Sequence, residues 1–275
     1  MADKIPPAVM AKARAKYQEL FGKPQQEYLS HIRLFATDME GTVFEKIPSH
    51  ADRGVVAPSL WAVLMHSLGE EAFALESILQ DQWFAQNMKQ YGKFVRDTVV
   101  VMKEYGLTKD SFLKHVDEYE YNSGVHEAIK EIQDMGIYTG MITGGFEEQA
   151  MKAQKDLRLD SVSAACRFYW KPNGTIEHCN SLPWDADEKV HFIKSMMLEL
   201  DARPSEVAYI GDSFNDLSIM RSVGLPILIN PTDKELSEKD KALHKEVKAM
   251  ENGVIVNSWK EVPDIVRNYP AKHYY

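Results

Sequence analysis

The stretch IRLFATDMEGT, residues 32–42, decides the fold of this chain. Its first, mostly apolar residues predict a buried strand, and its acidic and glycine residues predict a turn directly after that strand. The same form recurs twice: the run 138–142 leads into TGG at 143–145, and the run 207–210 leads into GDSFND at 211–216. Helical patterns follow the second and third runs, so strand and helix alternate as in an open parallel sheet.

The turns carry residue types suited to phosphoryl transfer, and in open parallel sheets ligands bind beyond the carboxyl ends of the strands. We therefore expect the three turns to form one site. A carboxylate at Asp38 can accept a phosphoryl group and split one hard hydrolysis into two displacements. Glu40, two residues on, can protonate the leaving alcohol and then deprotonate the attacking water.

Other residues in the same turns suit a metal and a phosphate. Asp212, the Asp38 carboxylate and one backbone carbonyl make a hard oxygen set of the kind that Mg²⁺ prefers. Thr143 offers a hydroxyl and Gly144 a backbone N–H to phosphate oxygens. Lys189 adds the positive charge that stabilises these oxygens in the transition state.

Lys189 occupies an unusual place for a lysine. Asp185 followed by Glu188 predicts a helix N-cap with its reciprocal acid, before an apolar stripe at Val190, Ile193, Met197 and Leu200. A lysine in that first turn opposes the helix dipole at about 0.3–1 kcal/mol. Two explanations stay open. The lysine is placed there for its function, or its ammonium group simply pairs with Asp185 or another nearby acid.

Each motif alone is more typical of an ordinary cap or turn, since Asp, Ser and Gly are common turn residues. The ordered, chemically complementary set favours function. It resembles the haloacid dehalogenase superfamily, in its phosphoserine-phosphatase-like branch, from about residue 30 to 230. The first motif is DMEGT at 38–42, the second ITGGF at 142–146, the third Lys189 and the fourth GDSFND at 211–216.

The resemblance implies an α/β fold, with a Rossmann-like core, a parallel sheet flanked by helices, and a small helical cap inserted after the first motif. It implies a nucleophile, an acid/base, substrate and phosphate ligands, and an Mg²⁺ site. Asp38 would be the nucleophile and Glu40 the acid/base. The substrate and phosphate ligands would be Thr143, Gly144, Lys189 and Asn215. The Mg²⁺ site would be formed by Asp38, Glu40, Asp212 and Asp216. One position departs from most phosphatases of this superfamily, which have Asp where this chain has Glu40. Enolase-phosphatases and a phosphoserine/homoserine phosphotransferase also have Glu there.

The domain prediction follows from a change of pattern after the first motif. Residues 1–44 and 123–275 are expected to form the core domain, with 1–30 as an N-terminal helical extension. Residues 45–122 are expected to form the cap, which can close over a site and exclude water. Predicted cap helices span 59–68, 71–91, 94–105 and 109–118, with linkers at 45–50 and 119–124.

Two further segments carry open alternatives. An apolar stripe at Val9, Met10, Ala13, Tyr17, Leu20 and Phe21 predicts a helix that either packs on the core or makes a dimer contact. Residues 166–170 and 175–179 predict a hairpin with a four-residue loop, which places Cys166 opposite Cys179. A disulfide is conceivable there, but two cysteines without a signal segment favour reduced thiols.

Composition limits the function classes. The length of 275 residues suits one core domain plus an insert, and 44% hydrophobic residues can form a sizeable core. A net charge of −9, with no basic run, argues against nucleic-acid binding. No apolar stretch has membrane-spanning length and no signal-peptide core is evident, so we expect a cytoplasmic protein with no membrane partner.

Together these patterns predict a Mg²⁺-dependent hydrolase of a small phosphorylated metabolite that acts through a phosphoaspartate on Asp38. A phosphotransferase that uses a second alcohol, and a non-catalytic binder of a phosphorylated ligand, are the alternatives. Resemblance to phosphoserine phosphatases implies an acid for the substrate ammonium and an arginine for its carboxylate. Ile47 stands at the expected acidic position with Glu45 nearby, and Arg96 is the candidate arginine, so we expect at best a modest preference for phosphoserine.

Overall fold

This computed structural model describes residues 7–21, 30–45, 59–86, 89–229 and 237–270. In these residues one sheet of seven strands has the order β4-β3-β2-β1-β5-β6-β7, and every neighbouring pair is parallel except β3 and β4. The strands are β1 Leu34–Thr37, β2 Tyr138–Phe146, β3 Ser161–Trp170, β4 Ile176–Ser181, β5 Val207–Gly211, β6 Leu225–Ile229 and β7 Val254–Val256.

Helices flank this sheet, which confirms the predicted α/β fold class. The α-helices of the described residues are α1 Pro7–Phe21, α2 Leu60–Ser67, α3 Glu70–Ala85, α4 Tyr91–Glu104, α5 Lys109–Asp117, α6 Val125–Asp134, α7 Glu147–Leu157, α8 Val190–Leu200, α9 Leu217–Met220, α10 Glu238–Ala249 and α11 Val262–Arg267. Among the described residues, no helix combines the length and the apolarity that a membrane crossing needs.

The central strand β1 brings the predicted motifs to one edge of the sheet. All four of its residues are buried, as expected for a strand covered on both faces. Thr37, its last residue, lies beside Met141 of β2 and Ile210 of β5. Asp38 therefore follows β1 at the level where β2 and β5 approach their own motifs.

The second motif differs from a simple turn. We predicted that the strand would end at residue 142, but β2 continues through TGGF to Phe146. Its pairing with β3 shifts between Thr143 and Phe146, so the two glycines lie in a bulge rather than beyond the strand. Bulges are a common way to redirect backbone and side chains next to a functional site.

Within its described residues, the insert between β1 and α6 contains four α-helices, α2 to α5. Side-chain oxygens begin two of them: Ser59 accepts from the Ala62 N–H at 3.3 Å, and Thr108 accepts from the Ser111 N–H at 3.2 Å. The predicted helix 71–91 was too long. α3 ends at Ala85, and α4 begins at Tyr91 after Gln90, whose left-handed φ of 60° interrupts the helix. Residues 46–50 of the predicted linker, with Ile47, lie outside the described residues.

The predicted β3–β4 hairpin forms, but its register was wrong. Cys166 lies opposite Ser181, and Cys179 lies opposite Phe168. The pairing shifts between Tyr169 and Trp170, and the turn, closed by Lys171 and Thr175, is longer than predicted. Together these two differences move the pairing by two residues. Both cysteines are free thiols.

One of the two alternatives for the N-terminal helix α1 was that it packs on the core, and the exposure of its apolar side chains contradicts this. Val9, Tyr17 and Leu20 are 54%, 60% and 57% exposed. The other alternative, a dimer contact, remains a prediction.

Candidate active site

Asp38, Lys189 and Asp216 form the buried centre of the candidate site. The backbone N–H of Asp38 donates to the carbonyl of Ile210 at 2.8 Å, which fixes the residue beside β5. Lys189 Nζ donates to Asp38 Oδ1 at 2.5 Å and to Asp216 Oδ1 at 2.8 Å. These contacts join three of the four motifs in one ion-pair network.

Lys189 is completely buried, at 0% exposure. Burial alone lowers the pKa of a lysine, but here the carboxylates of Asp216 and Asp38 outweigh it and raise the pKa of Lys189 well above its usual value. The ammonium group is therefore charged, and it points at Asp38. Of the alternatives for this lysine, the nearby acids do pair with it, and one of them is the proposed nucleophile itself.

The carboxylate of Asp216 binds Lys189 rather than offering an open position to a metal ion. Its Oδ1 also accepts the Tyr209 hydroxyl at 2.7 Å, and its Oδ2 accepts the backbone N–H groups of Asp212 and Ser213 at 3.1 and 3.2 Å. A Cβ at Gly211 would lie 2.4 Å from that Oδ2, so only glycine allows the carboxylate to approach this closely.

The helix start before Lys189 differs from the predicted capping box. Asp185 makes no side-chain cap, residues 186–189 form a 3₁₀ turn, and α8 begins only at Val190. Glu188 pairs with His191 at 2.7 Å instead of reaching back. The prediction failed because the carboxylate of Asp185 is directed to the second motif, where it lies against Gly144.

Three carboxylates offer oxygen atoms to a divalent cation. Among the described residues, Asp38, Asp212 and Asp216 place one ligand atom each within 4.8 Å of one another. Because Asp216 is occupied by its four hydrogen bonds, Asp38 and Asp212 are the carboxylates that fit direct coordination of Mg²⁺. Thr42 Oγ1 donates to Asp212 Oδ1 at 3.4 Å and helps to orient it. The carboxylate of Glu40, predicted as a further metal-site residue, is not in this group.

Glu40 lines the same cavity as Asp38. Its Oε1 accepts the backbone N–H of Leu60 at 2.6 Å, so the start of α2 orients it. Burial, with the negative charges of Asp185 and Asp212, raises the pKa of Glu40 to about 7 despite that hydrogen bond. A carboxyl group with such a pKa can give and take a proton near neutral pH.

The second motif presents Thr143 and Gly144 to the cavity that Asp38 and Glu40 also line. Thr143 Oγ1 accepts the Gly145 N–H at 2.9 Å, which leaves the hydroxyl proton free to donate. A Cβ at Gly144 would lie 2.5 Å from Asp185 Cγ. From the fourth motif, Asn215 lines the cavity and its Oδ1 accepts Ser213 Oγ at 2.5 Å, which leaves its amide N–H groups as donors.

A cavity of about 230 Å³ opens beside these residues. The turns of the sheet line one side of it. The insert lines the other side, with Ser59, Trp61, Glu76, Gln80, Trp83, Phe84, Tyr91 and Phe94. Sequence reasoning missed these insert residues and Asp185. The only signal available for them was the aromatic richness of the segment.

Arg96 does not reach this cavity, contrary to the prediction that it binds a substrate carboxylate. It lies on α4 with Tyr91 and Phe94, which are buried and line the cavity, whereas Arg96 is exposed. Two positions along a helix rotate a side chain by about 200°, so Arg96 points away from the face that carries Phe94.

Comparison with known proteins is consistent with this geometry. A family model of haloacid dehalogenase-like hydrolases matches residues 32–224, close to the predicted 30–230. The phosphoserine phosphatase of Lactococcus lactis subsp. lactis (strain IL1403) is 27% identical over 139 residues, or 48% of this chain and 60% of that protein, less than two thirds of its length. The phosphoserine phosphatase of Streptococcus thermophilus (strain ATCC BAA-250 / LMG 18311) is 25% identical over 167 residues, 58% of this chain and 74% of that protein.

Solved structures share the fold at low identity. A HAD family hydrolase from Salmonella enterica subsp. enterica serovar Typhi aligns with a TM-score of 0.68 and 13% identity, covering 98% of this chain and 83% of that one. A phospho-aspartyl intermediate analogue of phosphoserine phosphatase aligns with a TM-score of 0.64 and 15% identity, covering 86% of this chain and 99% of that one.

The metal site gives a first prediction. Saturating Mg²⁺ should raise the melting temperature of the wild-type chain, because an ion that binds only the folded state stabilises it by mass action. Asp212→Ala should lose most of this shift in thermal unfolding followed with and without Mg²⁺. Glu199→Ala, which removes an exposed acid on α8, should keep it. An undiminished shift in Asp212→Ala would place the ion elsewhere.

Close packing at the second motif gives a second prediction. Gly144→Ala should lower the free energy of unfolding by about 1–3 kcal/mol, because the new Cβ collides with Asp185. Gly92→Ala is the matched control, since the nearest atom to its added Cβ is 3.6 Å away. Urea unfolding of both variants measures the difference. Equal stability of Gly144→Ala and wild type would show that Asp185 does not lie against this residue.

Proposed function

Because this chain belongs to the haloacid dehalogenase-like hydrolases, we propose that it is a phosphatase of small phosphomonoesters that works through a phosphoaspartate on Asp38. The observation that carries this proposal is the buried contact of Asp38 with Lys189, which is itself held by Asp216. The similarity to two phosphoserine phosphatases supports the same class of reaction.

The first step transfers the phosphoryl group to the protein. An Asp38 oxygen forms a bond to phosphorus while the bond between phosphorus and the ester oxygen breaks. Glu40 gives its proton to the departing alcohol, consistent with a pKa of about 7. Lys189 and the Thr143 hydroxyl donate to the non-bridging oxygens, whose charge the buried ammonium group stabilises.

The second step returns Asp38 to its starting state. Glu40, now a carboxylate, takes a proton from water while the water oxygen bonds to phosphorus. The bond between phosphorus and Asp38 breaks, and inorganic phosphate leaves. When bound at Asp38 and Asp212, Mg²⁺ would supply positive charge that lets an anionic ester approach an anionic nucleophile.

The proposal also takes residues 45–122 as a helical cap on a core of 1–44 and 123–275. Its support is the two-sided lining of the cavity, in which Trp61, Glu76 and Trp83 of the insert face Asp38 and Thr143 of the core. Such a cap would shield the phosphoaspartate from bulk water until the alcohol has left.

Replacement of the nucleophile tests the covalent route. Asp38→Asn should lower kcat for p-nitrophenyl phosphate by several orders of magnitude, because an amide is no nucleophile and a poorer metal ligand. Circular dichroism should show an unchanged fold. Steady-state turnover well above background in a clean preparation of this variant would contradict the mechanism.

The role of Glu40 can be separated from that of Asp38. Glu40→Gln should still form phosphoprotein with p-nitrophenyl phosphate, since this good leaving group needs little protonation, and should hydrolyse it slowly. Rapid-quench trapping with a ³²P-labelled substrate measures the burst. Absence of a phosphoprotein in Glu40→Gln, with one present in wild type, would assign Glu40 to a step other than proton transfer.

A further inference from the structure

Aromatic rings form most of the insert side of the cavity, away from the proposed chemistry. Trp61 of α2 lies 6.3 Å from Phe94 of α4, and Trp83 of α3 lies 5.0 Å from Phe94, 5.4 Å from Phe84 and 5.6 Å from Tyr91, measured between ring centroids. We call these five rings the aromatic wall. All of them line the cavity.

The aromatic wall is joined directly to the phosphate side of the site. The Tyr91 hydroxyl donates to the carbonyl of Gly144, the glycine of the second motif. Trp61 also packs against Phe146, at the end of the same motif, with ring centroids 4.3 Å apart. A ligand whose phosphate lies at Thr143 and Gly144 would therefore extend its alcohol part along these rings.

A buried carboxylate stands within this apolar surface. Glu76 lines the cavity from α3, is only 2% exposed, and has no hydrogen-bond partner for its Oε1 among the described residues. Burial, with a contribution from Asp81, raises the pKa of Glu76 to about 7. An uncompensated buried acid is costly, so a cationic partner would stabilise it considerably.

The charge of the cavity favours the same kind of ligand. Among the described residues that line it, the one cation is Lys239, whose exposed side chain lies over the Phe214 ring. The acids that line it are Asp38, Glu40, Glu76, Asp185 and Asp212. Among the described residues, a substrate carboxylate on the insert side would meet acids and rings, since Arg96 does not line the cavity.

We propose that the aromatic wall and Glu76 bind an ammonium group, so that the preferred substrates are phosphomonoesters of amino alcohols, with a primary or alkylated ammonium and no carboxylate. Aromatic faces attract such cations, and most strongly where water is excluded. A neutral alcohol of the same shape would leave Glu76 unpaired. This inference rests on the proposed phosphatase activity and names its substrate class.

The test uses substrate pairs that differ in charge but not in shape. Phosphocholine is compared with 3,3-dimethylbutyl phosphate, in which carbon replaces the nitrogen, and phosphoethanolamine with propyl phosphate. We expect kcat/KM to be at least about tenfold higher for the cationic member of one or both pairs. Phosphoserine should be poorer than the better amino alcohol ester, because no cation of the described insert residues lines the cavity to pair with its carboxylate.

Variants assign the preference to the proposed residues. Glu76→Gln should reduce the cation preference to within about threefold, and Trp83→Leu should reduce it partly. Glu70→Gln, the same change at an exposed position of α3, should retain the wild-type ratio. If Glu76→Gln does not fold, Trp83→Leu and the wild-type ratios still decide the result.

The outcomes separate this inference from the activity on which it rests. Failure of the wild type to hydrolyse p-nitrophenyl phosphate with Mg²⁺ would overturn the proposed function. Hydrolysis of p-nitrophenyl phosphate with equal kcat/KM for the cationic and neutral members of both pairs would overturn only the substrate class. A preference for phosphoserine over both amino alcohol esters, or a full cation preference in Glu76→Gln, would also overturn the proposed substrate class.

Discussion

The structure depends on one buried interaction, the ammonium group of Lys189 between the carboxylates of Asp38 and Asp216. A charged lysine without any exposure needs anionic partners, and removal of one partner from such a pair typically costs about 3–5 kcal/mol. The sheet supplies Asp38 at the end of its central strand, and the turn after β5 supplies Asp216. The same arrangement that makes burial of the lysine possible places a positive charge at the atom where phosphate would bond. Stability and proposed chemistry therefore share this contact.

Sequence patterns predicted the parts of this site that depend on local rules. A buried run followed by acidic and glycine residues locates Asp38 at a strand end, and parallel strands bring such ends together. What the sequence did not predict depends on tertiary contacts. Asp185 looked like a helix cap because capping is local, yet its carboxylate packs against Gly144, more than forty residues earlier. The predicted β3–β4 register was wrong because a bulge and a longer turn each change every pair beyond them. The position of Arg96 outside the cavity was not predicted because a helix face cannot be chosen without its neighbours.

The insert explains how a family core acquires a substrate preference of its own. In the proposed mechanism, core residues such as Asp38 and Thr143 would contact the phosphate common to all phosphomonoesters, so they would contribute little to discrimination between alcohols. In our proposal the alcohol part would instead meet the aromatic wall and Glu76, whose buried Oε1 has no hydrogen-bond partner among the described residues and would select against ligands that cannot compensate it. On this proposal, the cavity would separate catalysis, on the sheet side, from recognition, on the helices of the insert.

The covalent role of Asp38 is the claim on which the rest depends, and borohydride reduction of the acid-quenched enzyme tests it most directly. Borohydride converts an acyl phosphate to an alcohol, so an aspartyl phosphate becomes homoserine, and peptide mass spectrometry then identifies the modified position. After a brief reaction of wild type with p-nitrophenyl phosphate and Mg²⁺, we expect homoserine at position 38 and none when substrate is omitted. Rapid turnover with homoserine at another aspartate, or with no reduced residue under conditions that trap a control acyl phosphate, would contradict the covalent mechanism.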